Sequence, residues 1–96
     1  MIENAKLKHE ITYAGAVLRI YHANKGEGIP NHAHEYSHAT FCMSGSCKLT
    51  QEKKSIVINK NSTPINLLAG KWHEIEALED GTVFCNVFSE AHQVQY

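Results

Sequence analysis

Residues 26–45, GEGIPNHAHEYSHATFCMSG, place His32, His34 and His38 close together, flanked by turn-forming glycines and Pro30. A metal site needs side chains that converge on one point, so the spacing decides what such a run can do. Side chains alternate faces along a strand, so His32 and His34 share a face if the segment is extended. On an α-helix, residues two apart lie about 200° apart and do not share an ion. Gly26, Gly28 and Pro30 also disfavour a helix here. The HxH pair therefore reads as two ligands from one strand. His38 has the same parity, yet residues four apart on a flat strand are ~13 Å apart, against metal–nitrogen distances of about 2 Å. His38 joins the pair only if the chain bends or bulges around residues 35–37. His73 follows Gly70 after a tight turn and begins another β segment, which makes it the candidate fourth ligand.

Outward from this stretch, the chain reads as all-β, with turn signals roughly every eight to twelve residues, as in a sandwich or barrel. Strands are expected over 15–23 (GAVLRIYHA) and 39–43, with a turn at 44–46 and a return strand over 47–50. The charged run 51–54 ends that hairpin, and further strands are expected over 55–58, 65–68 and 73–78. Residues 82–88 (TVFCNVF) are the most β-prone of all, after a turn at Glu79-Asp80-Gly81. Residues 1–8 and 89–96 read as edge strands or loose tails. The best helical candidate, 72–78, is short and runs straight into Glu-Asp-Gly. There are no internal repeats, linkers or low-complexity tracts, so residues 1–96 are expected to form a single domain.

Composition narrows the function. Nine Lys+Arg against ten Asp+Glu give a net charge of −1. That balance carries no electrostatic footprint for nucleic acid or an anionic membrane. Cys42, Cys47 and Cys85 are odd in number and form no CxxC pair, so neither a zinc ribbon nor a disulfide framework is suggested. The first ten residues lack a signal-like apolar stretch, and no apolar run approaches the ~20 residues of a membrane span. A cytoplasmic protein is the expectation. Isolated histidines are ordinarily surface residues or satisfied core residues, and His9, His22 and His92 are read that way.

The run from Gly26 through His32, His34 and His38 to Gly45 resembles the first motif of the cupin superfamily. That motif is a glycine, five residues, HxH, three or four residues, a glutamate, six residues and a glycine. Every spacing fits, with His38 standing where the glutamate usually stands. The second motif is matched within 62–77, where Gly70 and His73 keep the family spacing. Leu68 replaces its usual proline and Ala77 its usual asparagine. The resemblance implies a small antiparallel β-barrel of jelly-roll type, usually a homodimer, with a divalent metal inside. Carried over position by position, the ligands are His32, His34, His38 and His73. The family also sets its HxH and third ligand on either side of a chain reversal, which supplies the bend His38 requires.

An all-imidazole set suits Zn, Ni, Cu or Fe(II) and disfavours Mg or Ca, which want oxygen. Glu35 has the wrong parity for a ligand on a regular strand unless a bulge brings it in; accepting from a histidine N–H is its other role, and facing solvent is the slightly favoured one. Tyr36, Thr40 and Cys42 share the parity of His38 and are pocket candidates; packing is the competing role for each. Trp72 is a candidate for a pocket mouth or a subunit contact. The expected function is a metal-dependent enzyme on a small molecule, of dioxygenase or of isomerase, cyclase or lyase type. The alternative is a non-catalytic cupin that binds or senses a small ligand or the metal itself. No catalytic residue is assigned.

Overall fold

The structure is a computed structural model and describes residues 2–92. Ten strands follow in order: β1 (Glu3–Asn4), β2 (Lys6–Tyr13), β3 (Ala16–Ala23), β4 (Glu27–His32), β5 (His38–Ser44), β6 (Ser46–Gln51), β7 (Lys54–Asn59), β8 (Ile65–Leu67), β9 (His73–Ala77) and β10 (Thr82–Ser89). A 3₁₀ turn, Glu90–His92, follows β10. Residues 93–96 of the expected C-terminal tail lie outside the described residues.

The strands form two five-stranded sheets. The first has the order β1-β4-β9-β6-β7 and the second β2-β3-β10-β5-β8. All pairings are antiparallel except that of β1 with β4. This is the expected jelly-roll arrangement, in a flattened form: hydrogen bonding stays within each sheet and does not run around a closed barrel. The chain changes sheet at seven of the nine connections between these strands, among them β4 to β5 and then β5 to β6.

The crossing from β5 to β6 turns on Gly45, which has φ +74°. A Cβ there would strike the Thr82 hydroxyl and backbone, so both conformation and space demand glycine. Gly28 serves a different purpose. A Cβ at that position would run into the Ile75 carbonyl, so its absence lets β4 and β9 approach closely.

Alternation along the strands sets the core between the sheets. Leu49, Ile58, Ile75 and Cys47 come from the first sheet, and Phe84, Cys42 and Leu67 from the second. Phe84 is fully buried and stacks on Tyr21 with ring centroids 5.1 Å apart. Burying a side chain of this size stabilises the fold by roughly 1.5–3 kcal/mol. Residues 73–77, the core of the helical candidate, form β9, because His73, Ile75 and Ala77 alternate inward. The N-terminal segment forms two edge strands, and the second continues to Tyr13, beyond the expected end at residue 8.

Candidate metal centre

The histidines meet where the connection from β4 to β5 leaves one sheet for the other. β4 ends at His32, so His34 lies just past the strand in the connection to β5. This corrects the expectation that both sit on one strand. The chain bends at Glu35 and Tyr36, and His38 opens β5 on the opposite sheet. His73 opens β9 and is the register partner of His32. Two contacts clasp the loops together: the Gly70 N–H donates to the His34 carbonyl at 2.8 Å, and the Ala69 N–H donates to Ser37 Oγ at 2.9 Å.

The result is a compact cluster of rings. Candidate ligand nitrogens of His32, His34 and His73 all lie within 4.8 Å of one another. The His73 ring centroid is 4.4 Å from that of His32 and 4.8 Å from that of His34. His38 stands beside this trio, 5.2 Å from both His34 and His73.

Hydrogen bonds fix which nitrogen of each ring faces inward. Nδ1 of His32 donates to the Pro30 carbonyl at 2.8 Å, and Nδ1 of His34 to the Tyr36 carbonyl at 2.8 Å. Nδ1 of His73 donates to the Lys71 carbonyl at 3.0 Å. A carbonyl only accepts, so each Nδ1 carries the proton and each Nε2 is left with a lone pair. For His38 the partner is Thr40 Oγ1 at 3.1 Å. That hydroxyl gives its own proton to Asn86 Oδ1 at 2.7 Å, so it accepts from His38 and sets the same tautomer.

Burial disfavours the charged form of His73, His38 and His34. His73 and His38 are 1% and 5% exposed, and loss of solvation holds both imidazoles down to about 4. Neighbouring histidines add to the effect, since a second positive charge beside the first is repelled. His34 is lowered for the same reasons, burial first. The consequence is sharpest at His73, whose buried Nε2 has no hydrogen-bond partner. A buried acceptor left unmet costs about 1–3 kcal/mol. A divalent ion would satisfy it, and Nδ1–H bonded to a carbonyl is the usual support for an imidazole that ligates through Nε2. The residues present therefore fit a transition metal.

The other expected positions divide. Tyr36 is half-buried and stacks on His34, with centroids 4.3 Å apart and planes within 4°. Thr40 is fully buried and orients His38. Cys42 takes the packing role: four residues beyond His38, it sits in the core, 4.0 Å from Cys47 Sγ, with its thiol aimed at the Ser44 carbonyl. Glu35 is exposed, as are Trp72, His9 and His22. The His92 side chain lies outside those described. Sequence reasoning missed Asn86 and Arg19. Their signal was parity: Asn86 shares the inward face of β10 with Phe84 and Phe88, and Arg19 that of β3 with Val17 and Tyr21.

Solved structures share the fold. A conserved protein of unknown function from Streptococcus pyogenes, SPY1581, superposes with a TM-score of 0.71 at 19% identity, over 93% of this chain and 79% of that one. KdgF from Halomonas sp. gives 0.76 at 14% identity, over 84% and 74%. A cupin 2 domain-containing protein from Halorhodospira halophila gives 0.77 at 13% identity, over 90% and 64%. No curated protein matches the sequence. The family model described as "FdtA: WxcM-like, C-terminal" matches residues 3–95. With that match spanning nearly the whole chain on a cupin architecture, the protein belongs to the WxcM-like, C-terminal family of cupin folds.

Proposed function

We propose that the chain holds one divalent transition metal on His32, His34 and His73, with His38 completing the set, and acts as a metal-dependent enzyme on a small molecule. The observation that carries the reading is the orphaned, buried Nε2 of His73 among imidazoles whose Nδ1 protons are all engaged elsewhere. A neutral four-imidazole set favours Zn, Ni, Cu or Fe(II). When bound, the ion supplies Lewis-acid polarisation of a substrate oxygen or, as iron, oxygen chemistry. The chain's own contribution is orientation. Backbone carbonyls within two residues lock three rings, Thr40 locks the fourth, and Tyr36 covers the half-buried His34. Partial exposure of His32 and His34 supports access for a substrate, which a purely structural ion would not need.

Elemental analysis of the purified chain beside His34→Ala tests this. Near-stoichiometric metal in the wild type and its loss in the variant are expected; equal metal in both refutes the assignment.

A second copy of the chain is also part of the proposal. The outward face of β3, β10 and β5 carries Leu18, Ile20, Phe41, Met43, Val83 and Val87, and no Asp, Glu, Lys or Arg. An uncharged apolar face meets its own two-fold copy without like-charge repulsion, which is what an isologous interface requires. The lack of any charge gives such a face nothing to recognise in a charged partner.

A further inference from the structure

Among the described residues, Arg19 is the one Lys or Arg at an inward position of the second sheet. It faces in with Val17 and Tyr21 on β3, and its register partners are Glu10 on β2 and Asn86 on β10. Asn86 in turn pairs with Thr40 on β5. A polar row, Glu10–Arg19–Asn86–Thr40, therefore crosses the inner face of the sheet and ends at the hydroxyl that orients His38. Adjacent strands are about 4.8 Å apart, so Arg19 and the strand bearing His38 are separated by roughly 10 Å.

Two members of this row have donors to spare. Asn86 is 8% exposed, and its Oδ1 is taken by Thr40. Its two amide N–H groups have no hydrogen-bond partner among the described residues. Arg19 uses Nε to reach Glu10 Oε1 at 2.6 Å, its guanidinium also hydrogen-bonds the Tyr21 side chain, and it lies over the Phe88 ring at 5.0 Å from the centroid. Held by Glu10, Tyr21 and the face of Phe88, the guanidinium keeps its remaining N–H groups in a fixed plane. A guanidinium fork matched to two oxygens is the geometry that recognises carboxylates bidentately. Phe88 also touches Tyr36, which stacks on His34, so the same aromatic wall runs from Arg19 to the histidines.

We propose that Arg19 and Asn86 form a carboxylate-binding pair, so that the ligand is a small organic acid anchored there with its other end at the histidine cluster. This rests on the metal-centre reading for the far end of the ligand and stands on Arg19 and Asn86 alone for the acid. Glu10 is a positioning residue in this scheme, holding Nε so that the fork faces inward.

The test is calorimetric titration of the full chain with glycolate, succinate and glutarate, each beside its neutral amide, with metal content read in every sample. At least one acid should bind, and its amide at least tenfold more weakly. Arg19→Gln should lower affinity for the acid about tenfold to hundredfold, the range for losing a charged hydrogen-bond partner, with metal content unchanged. Asn86→Asp keeps the acceptor for Thr40 and replaces the amide donors by a like charge, so it should weaken acid binding at least tenfold even if Arg19→Gln does not fold. Acids and amides binding alike, no acid binding, or unaltered affinity in a folded variant each overturn the proposal. Repeating the titration on chelator-treated protein separates the two readings. A wild type without metal sinks the metal centre, while acid-over-amide preference in the metal-free chain still reads Arg19 and Asn86.

Discussion

Replacing His73 by leucine should change stability in opposite directions with and without metal. In the metal-free protein the buried Nε2 of His73 has no partner, at a cost of about 1–3 kcal/mol. Leucine removes that cost and also removes the bond from Nδ1 to the Lys71 carbonyl, worth about 1 kcal/mol. The metal-free variant should therefore equal or exceed the wild type by about 0–2 kcal/mol. At this chain length 1 kcal/mol moves the melting temperature by roughly 4–8 °C. Zinc at a hundred times its dissociation constant adds about 2.7 kcal/mol to a protein that binds it only when folded, or roughly 10–20 °C. The variant should gain little of this. Calorimetric melts after chelation and after zinc addition should thus cross: variant at or above wild type without zinc, well below it with zinc. A zinc shift as large in the variant as in the wild type refutes His73 as a ligand. A metal-free variant destabilised by more than about 2 kcal/mol refutes the unmet Nε2 as the source of strain.

Two further outcomes are expected. Since burial depresses the His38 and His73 imidazoles from 6.5 to about 4, the folded metal-free state binds fewer protons than the unfolded one in that window. Stability is then intact above about pH 6.5 and falls as pH drops toward 4, by on the order of 3 kcal/mol per histidine; a flat melting temperature between pH 7 and 5 contradicts this. For the outer face, light scattering should give twice the chain mass for the wild type and a single chain for Val87→Lys, which sets a charge on that face beside its own symmetry mate; a monomeric wild type removes the dimer.

Much of the fold was legible because the inner face alternates cleanly. In TVFCNVF, Phe84, Asn86 and Phe88 point one way, and the turn signals around Gly45 and Gly81 bracket strands that formed as expected. The segment Lys6–Tyr13 was not legible, since every residue of β2 is exposed and an edge strand with no buried face leaves no alternation to read. The histidines were legible as a group through spacing, and the need for a bend before His38 followed from strand geometry alone. That His34 leaves the strand was not legible, because it depends on Gly70 and Ser37 drawing the two loops together across more than thirty residues of sequence. The pairing of Arg19 with Asn86 was not legible for a related reason. Their significance comes from lying side by side on strands β3 and β10, and register between distant strands is not written in either segment.

Orientation of the histidines and their convergence have separate physical origins. Three of the rings are aimed by a carbonyl no more than two residues away, so each strand or loop carries its own aiming device. Convergence belongs to the tertiary fold, which brings His32 opposite His73 in one sheet and His38 to them from the other. His38 alone is aimed by a side chain, and that side chain hands its proton on to Asn86. A ligand that draws on the Asn86 amide therefore acts on the same hydrogen-bond chain that holds His38. Under the two proposals together, acid binding and metal binding share one relay of Asn86, Thr40 and His38. By linkage, an acid that tightens the metal must itself be tightened by the metal to the same degree.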